Sequence, residues 1–370
     1  MRIGFGGRTA IGLDVGLRSI GAVQLVRAGG DWSVEAATMI ARQGSESSGP
    51  GGSGDLVPSI GELRQLAEVL YRQGFTGNRV NLVAPESAVF STTLELPPRS
   101  SGAPIEELAR QELARTAKRD GSAIEVGMWD VPSPPRAGGA ELTHVLAVGL
   151  AHKDSEQLVD VFEAAGLVVE AVDCRCCAMV RGCAAVVGDG AQVSAIVDLT
   201  ESSLSIAVVH SGVVAYDRPV REVGLWRVRE QVRTELRVEG EAADYLIETL
   251  ARGEGDGGLP EHTLGTATRL MDEYLEMVVQ ELRSVMAYAI HRYPGSIGPV
   301  VLTGAGAGLQ GLHRRIREDL DLEVRTVSLA DVVRAGIAPE LEQVCRDAAL
   351  TVAAGLAMHP GAAKASRRAA

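Results

Sequence analysis

The sequence predicts an α/β protein made of two related domains that face each other across a cleft. A repeated hairpin pattern is the first observation: twice, an apolar strand ends on an aspartate, turns over a few residues and resumes as a strand at a serine. A glycine-rich turn between an apolar strand and a helix, late in the chain, is the second. The third is the alternation of predicted strands and helices, which implies mixed, largely parallel sheets covered on both faces.

The two hairpins are in register across half of the chain. Asp198 follows Asp14, and Ser203 follows Ser19, by 184 residues in each case, so we predict a duplicated domain. One such hairpin alone is most simply a turn capped by its aspartate. Two that face each other favour a nucleotide cleft, in which backbone N–H groups bind phosphate oxygens and the two aspartates hold a magnesium ion through water.

The glycine-rich turn follows an apolar strand at residues 299–303 and leads into a helix from Leu309. Glycines let the backbone approach a ligand closely, and a helix N-terminus favours negative charge. The turn is not a Walker loop, because no Gly-Lys-Ser or Gly-Lys-Thr follows it, and its spacing and late position differ from those of the dinucleotide fingerprint. Taken alone, it is weak evidence for a ligand.

The first hairpin, the second hairpin and the glycine-rich turn, in this order, resemble the elements of the superfamily that contains actin, heat-shock chaperones and sugar kinases. Within it the chain resembles the PilM family of type IV pilus assembly, which is related to the division protein FtsA. The segments Ser87–Phe90 and Leu94–Pro97 are the most specific to that family. The resemblance also covers residues 11–25, 107–114, 163–173, 197–198, 302–312 and 348–358. It implies an actin-like (ribonuclease H-like) duplicated two-domain fold with a small α/β subdomain inserted in the first domain.

The predicted domain boundary lies at the Gly188-Asp189-Gly190 segment. Residues 1–188 form the first domain, with the inserted subdomain at about residues 89–150 and a flexible loop at residues 45–54. Residues 189–370 form the second domain, with a helical insertion at about residues 223–292. Its last helix is predicted at residues 264–292 from an apolar stripe of helical period.

The resemblance implies that ATP with Mg²⁺ binds between the domains. The residues expected to bind the cofactor are Asp14, Gly16, Ser19, Asp198, Thr200, Ser202, Ser203, Gly304, Gly306, Ala307 and Gly308, with Asp14 and Asp198 also at the metal ion. Three positions depart from the family pattern: Leu17 replaces a serine, Thr200 replaces a glycine, and Gly224 stands where paired glycines are usual. These departures favour weak or absent hydrolysis, so no catalytic residue is predicted.

The resemblance further implies a scaffold of the pilus assembly platform. Its partner would be the cytosolic N-terminal peptide of a PilN-like membrane protein, alongside other platform proteins. In the family this peptide binds between the core of the first domain and the inserted subdomain, so the groove wall here would include residues 83–96. Phe90 is the predicted anchor, since a large aromatic side chain often dominates an interface. The alternative is that Phe90 is simply a core residue of its strand.

Two other functions stay open. An ATPase or small-molecule kinase of the same superfamily would need a group that orients water or a substrate hydroxyl near the γ-phosphate. Asp173 is the one candidate by position, although an aspartate that caps the next helix is the simpler interpretation. An FtsA-like filament protein would end in an amphipathic membrane helix, and the terminal residues from Lys364 onward have no apolar face.

Composition narrows the location and the partners. The net charge of −12 argues against a nucleic-acid surface. No apolar run is long enough to cross a bilayer and no signal peptide is evident, so we expect a cytoplasmic protein that reaches the inner membrane through its partners. Cys174, Cys176, Cys177 and Cys183 are clustered. They lack the paired C-x₂-C spacing of a zinc site, and we predict reduced core cysteines.

Overall fold

The computed structural model describes residues 7–28, 31–42, 57–132, 142–188, 190, 192–253, 258–333 and 336–360. The strands are β1 (Ile11–Val15), β2 (Ser19–Ala28), β3 (Asp31–Ala41), β4 (Arg79–Val83), β5 (Val89–Leu96), β6 (Ile124–Asp130), β7 (Thr143–Ala151), β8 (Val168–Asp173), β9 (Val193–Leu199), β10 (Leu204–His210), β11 (Val213–Val220), β12 (Ile297–Thr303) and β13 (Val324–Thr326). The helices are α1 (Ile60–Arg72), α2 (Ile105–Ala117), α3 (His152–Ala164), α4 (Arg175–Val187), α5 (Leu225–Leu236), α6 (Gly240–Arg252), α7 (Glu261–Arg292), α8 (Leu312–Leu320), α9 (Leu329–Val332), α10 (Glu342–Cys345) and α11 (Thr351–Ala357).

Two five-stranded sheets repeat one topology. The first has the order β3-β2-β1-β4-β8 and the second the order β11-β10-β9-β12-β13. In each sheet the first three strands are antiparallel and the other two run parallel to the central one. The register is duplicated as well, since Asp14 pairs with Gly21 and Asp198 with Ser205. The repeat predicted from the hairpins is therefore present in the backbone.

A third, antiparallel sheet lies between β4 and β8 in the chain, with the order β5-β7-β6. Helix α2 covers one face, where Leu96, Ile105, Ala109 and Val145 form a small core. This is the predicted inserted subdomain, built from period-2 strands around one amphipathic helix. It also contacts the second sheet, because Trp129 Nε1 donates a hydrogen bond to the Val214 carbonyl at 2.7 Å.

The second sheet carries a helical insertion of its own between β11 and β12. Its longest helix, α7, spans 32 residues, close to the predicted range of 264–292. The predicted stripe is buried from Ala267 to Ala289, and it is wider than expected because Leu270, Tyr274 and Val285 are also buried. A helix with so broad an apolar face needs packing on more than one side. Helices α5 and α6 supply part of that packing.

Helices α4 and α11 pack against each other beside both sheets. Every residue of α11 is buried, and the helix contacts β1, β2 and α4, whereas α4 also contacts β9, β10 and β12. The close approach requires glycine, because a Cβ on Gly355 would lie 2.7 Å from the Ala178 carbonyl carbon. The predicted boundary at residue 189 thus separates the strands of the two sheets but not these helices.

Within the described residues, no helix has the length and apolarity to span a bilayer. The predicted loop at residues 45–54 lies outside the described residues. The terminal segment from Lys364 also lies outside them.

Candidate functional site

The two hairpin aspartates meet as the sequence predicts, but an arginine lies between them. Arg175 is the first residue of α4, which begins directly after β8. Its Nη2 atom donates to Asp14 Oδ1 at 2.6 Å, and its Nη1 atom donates to Asp198 Oδ2 at 2.6 Å. One guanidinium group therefore joins the C-terminal ends of the two central strands, β1 and β9.

A third carboxylate binds the same guanidinium. Glu86 follows β4 and places Oε1 at 3.2 Å from Arg175 Nε. The same oxygen accepts a hydrogen bond from Ser205 Oγ of β10 at 2.6 Å, and the Glu86 carbonyl accepts one from Arg221. We call Arg175, Asp14, Asp198 and Glu86 the central cluster. It connects the first sheet, the second sheet and the segment that leads into the inserted subdomain.

The central cluster is buried, and its charges are strongly coupled. Side-chain exposure is 11% for Arg175 and 1% for Asp198. Burial raises the pKa of Asp198 to about 6, with Asp14 and Glu86 adding to the shift, while Arg175 opposes it. Burial alone would lower the pKa of Arg175, but the three carboxylates together raise it. The arginine is thus positively charged at all relevant pH values.

The hairpin turns use their own backbone groups. Gly16 N–H donates to the Ser19 carbonyl at 2.9 Å, and Thr200 N–H donates to the Ser203 carbonyl at 3.0 Å. Ser203 N–H donates to Thr200 Oγ1 at 3.1 Å, and that hydroxyl lies 3.2 Å from Ser202 Oγ. Three of the backbone N–H groups in the predicted phosphate-binding turns, those of Gly16, Thr200 and Ser203, therefore close the turns themselves. Leu17, which replaces the family serine, is buried in the first turn.

The N-terminus of α5 covers the second hairpin. Leu225 N–H and Trp226 N–H donate to the carbonyls of Thr200 and Glu201, each at 3.0 Å. Gly224 permits this packing, because a Cβ there would lie 2.6 Å from the Glu201 carbonyl oxygen. N–H groups at the start of a helix are natural anion ligands. Here two of them bind the protein's own backbone.

The glycine-rich turn packs against β9, the first strand of the second hairpin, and its backbone N–H groups also bind protein carbonyls. Gly304 N–H donates to the Ala348 carbonyl, Gly306 N–H to the Leu199 carbonyl and Ala307 N–H to the Gly304 carbonyl. A Cβ on Gly306 would lie 2.7 Å from Leu199 Cβ. Ala307 is buried and Gly308 is exposed. The turn lies beside the site as predicted, and its close approach is to protein atoms.

Ion pairs close the mouth of the cleft. Arg18, at the tip of the first hairpin, makes two hydrogen bonds to Asp244 of α6, at 2.8 and 2.6 Å. Asp244 also binds Arg229 of α5, which in turn binds Glu201 at the tip of the second hairpin. Burial alone would raise the pKa of Asp244, but Arg18 and Arg229 lower it below its ordinary value. We call these four residues the mouth chain.

This arrangement does not fit a magnesium ion between the aspartates. Mg²⁺ needs oxygen ligands or water on all sides, and the space between Asp14 and Asp198 holds the guanidinium. The cavity beside Arg175, which Val83, Glu86 and Ser202 also line, measures about 20 Å³, enough for one water molecule. Ligand sites measure about 300–1,000 Å³. Asp198 Oδ1 is buried with no hydrogen-bond partner among the described residues, but it faces Gly304.

Three other predicted features have clear positions. Asp173 Oδ1 accepts a hydrogen bond from Cys174 N–H, and the same carboxylate binds Arg181 of α4. Asp173 therefore stabilises the beginning of α4. Phe90 is half-buried, and its ring covers Gly149 of β7, where a Cβ would lie 2.7 Å from Phe90 Cζ. The cysteines are free thiols.

The cysteine cluster is tighter than its spacing suggests. The sulfur atoms of Cys174, Cys176 and Cys177 lie within 4.8 Å of one another. Hydrogen bonds from the Cys174 and Cys176 thiols lower the pKa of Cys177 to about 5. The group supplies three thiol ligands, one fewer than a structural zinc site uses. Cys183 is buried elsewhere on α4, as predicted.

Comparisons with known proteins agree with this architecture. Residues 12–360 match the family described as type IV pilus assembly protein PilM. Because the match spans nearly the whole chain, the chain belongs to this family, as the resemblance indicated. A search of curated protein sequences gave no significant match.

Solved structures show the fold. A PilM-PilN type IV pilus biogenesis complex superposes with a TM-score of 0.73 at 16% identity, covering 95% of this chain and 98% of that one. Ethanolamine utilization protein EutJ from Carboxydothermus hydrogenoformans gives 0.53 at 15% identity, over 95% and 89% of the two chains. The MreB 5 protein of Spiroplasma citri bound to AMPPNP gives 0.51 at 10% identity, over 97% of each. The predicted actin-like fold is confirmed.

Proposed function

We propose that the chain is an actin-like scaffold of a type IV pilus assembly platform, where it binds the N-terminal segment of a PilN-like protein. The match of residues 12–360 to the PilM family carries this proposal. The whole-length similarity to a PilM-PilN complex supports the choice of partner. We further propose that the protein works at the cytoplasmic face of the inner membrane, which it reaches through that partner and other platform proteins.

The inserted subdomain is the proposed partner site. Among the described residues, β5 is an edge strand of its sheet, because it pairs with β7 on one side and has no strand neighbour on the other. An extended peptide that pairs with such an edge gains main-chain hydrogen bonds, while side-chain pockets add specificity. The half-buried ring of Phe90 lies on this strand beside Leu113 of α2, since both side chains lie over Gly149. A half-buried aromatic side chain is suited to be an anchor for a second apolar group.

A binding experiment tests this proposal. A labelled peptide with the cytosolic N-terminal sequence of the organism's own PilN-like protein is titrated against the wild type, Phe90→Ala and Tyr71→Ala. Tyr71 is 83% exposed on α1, outside the inserted subdomain, and serves as the aromatic control. We expect tenfold or greater loss of affinity for Phe90→Ala alone. Equal affinities would remove Phe90 from the interface, and no binding to the wild type would remove the PilN-like partner.

The stability of Phe90→Ala separates an anchor from a core residue. A fully buried phenylalanine costs about 3–5 kcal/mol when truncated to alanine. Because Phe90 is only half-buried, we expect about 1–2 kcal/mol. A loss near the upper range, with unchanged peptide affinity, would instead make it part of the subdomain core.

An enzyme of the same superfamily is the second candidate function, and the geometry does not favour it. Asp173 is bound to Arg181 and to the start of α4, so it does not have a free oxygen aimed at the central cluster. We expect negligible steady-state phosphate release from the purified protein. Several turnovers per second would favour the ATPase or kinase over the scaffold. The sequence predicts binding of Mg²⁺-ATP through Asp14 and Asp198, but the contacts of Arg175 oppose it, because the guanidinium would have to leave the space between the two carboxylates.

A further inference from the structure

We infer that Arg175 acts as a built-in counter-cation, which holds the two halves of the protein together at the position that the sequence predicts for a magnesium ion. The inference concerns the cleft and does not depend on the identity of the pilus partner. It starts from the contacts of one side chain. Arg175 binds Asp14 of the first sheet, Asp198 of the second sheet and Glu86 of the segment before β5.

The charge balance explains why the cation is needed. Three carboxylates with exposures of 13%, 1% and 14% point at one buried position. Carboxylates so close repel one another in a medium of low dielectric constant. A metal ion would relieve that repulsion, and the guanidinium does so here with its fork of donors, three of which reach the three acids. The protein therefore supplies its own positive charge.

The remaining charge opposes a nucleotide. Arg175 compensates one of the three carboxylates, so the central cluster keeps a negative charge when all three are ionised. A polyphosphate without a bridging metal ion would be repelled by it. The guanidinium cannot turn to the phosphates without leaving the acids unpaired and buried, which is costly.

Three further observations agree with a closed cleft. The mouth chain joins the two hairpin tips through Arg18 and Asp244. The backbone N–H groups of Gly304, Gly306 and Ala307 in the glycine-rich turn are bound to protein carbonyls. The space that remains beside Arg175 is about 20 Å³. The contacts between the two hairpin tips and around Arg175 are therefore made by protein groups.

Removing the arginine should create a cation site. In Arg175→Ala the three carboxylates stay in place around an opening of roughly guanidinium size, and oxygen ligands in such a set suit Mg²⁺ or Mn²⁺. We measure the melting temperature of the wild type, Arg175→Ala and Arg218→Ala, each with EDTA, with Mg²⁺ and with Mg²⁺-ATP. Arg218 pairs with Glu281 away from the cluster, and its variant controls for the loss of one positive charge.

The expected result is a melting temperature that Mg²⁺ raises by several degrees in Arg175→Ala only, with no response of the wild type to Mg²⁺ or Mg²⁺-ATP. A wild type stabilised by Mg²⁺-ATP at a hundredfold excess, by about 2.7 kcal/mol, would overturn the inference. An Arg175→Ala variant indifferent to Mg²⁺ would do so too. If that variant does not fold, Arg175→Gln carries the same test, because glutamine removes the positive charge, fills part of the space and offers an amide oxygen that suits Mg²⁺.

Discussion

The packing of α4 against α11 predicts that a glycine-to-alanine substitution lowers the free energy of unfolding at one position and raises it at another. Gly355 lies in the middle of the buried helix α11 and Gly265 lies on the exposed side of α7. A Cβ on Gly355 would lie 2.7 Å from the Ala178 carbonyl carbon and 3.1 Å from Gly182 N, whereas a Cβ on Gly265 has nothing within 4 Å. Glycine→alanine at both positions changes the same atoms in different surroundings.

The magnitudes follow from those surroundings. Alanine in a helix is favoured over glycine by about 1 kcal/mol, and this gain applies to both variants. In Gly355→Ala the new methyl group meets backbone atoms of α4, which cannot rotate away as a side chain would. Overpacking of this kind costs about 1–3 kcal/mol and occasionally more. Since the obstacle is backbone, we take the upper part of that range and expect a net loss of about 2 kcal/mol. Gly265→Ala should gain about 0.5–1 kcal/mol.

Urea unfolding, followed by far-ultraviolet circular dichroism and by tryptophan fluorescence, measures both changes. Coincident transitions are needed, because a two-domain chain does not always unfold in one step. The difference between the two variants should be about 3 kcal/mol. A Gly355→Ala protein as stable as Gly265→Ala would show that α4 and α11 are not in the contact described.

Two further predictions concern the charges between the domains. Burial, and to a smaller extent the charges of Cys174 and Glu86, raises the pKa of Asp217 to about 7. Between about pH 4 and 7 the carboxyl group of Asp217 is therefore protonated in the folded state and ionised in the unfolded state. The free energy of unfolding falls as pH rises through that range. Asp217→Asn should therefore become increasingly more stable than the wild type from pH 4 to 7, by about 2 kcal/mol, half of what full burial would give; a constant difference in chemical denaturation would contradict this. Arg18→Ala should cost about 1 kcal/mol more than Arg115→Ala in the same assay, because Arg18 is bidentate and partly buried whereas the Arg115 side chain is 75% exposed. Equal costs would mean that the mouth chain does not join the domains.

Much of the fold could be predicted because its signals are local. The strand-turn-strand pattern around Asp14 and Asp198 depends on alternation over a few residues, and the structure has both hairpins in the predicted register. Helix α7 could also be predicted, because its apolar residues recur with the period of a helix. The packing of α11 on the first sheet was not, because contacts between residues 12 and 353–357 depend on the whole chain path.

The central cluster shows where local signals end. Its aspartates were found, but Arg175 and Glu86 were missed, because an arginine 161 residues after Asp14 in the sequence gives no periodic signal. One signal was available. Arg175 is the first residue of α4, where the helix dipole disfavours positive charge, so an arginine at that position needs nearby acids. Leu17 and Thr200 already indicated that the two turns do not suit a phosphate group. Arg175 agrees with that interpretation, because it occupies the position predicted for the metal ion. In this chain larger residues occupy the two hairpin turns, and a guanidinium balances the acids beside them.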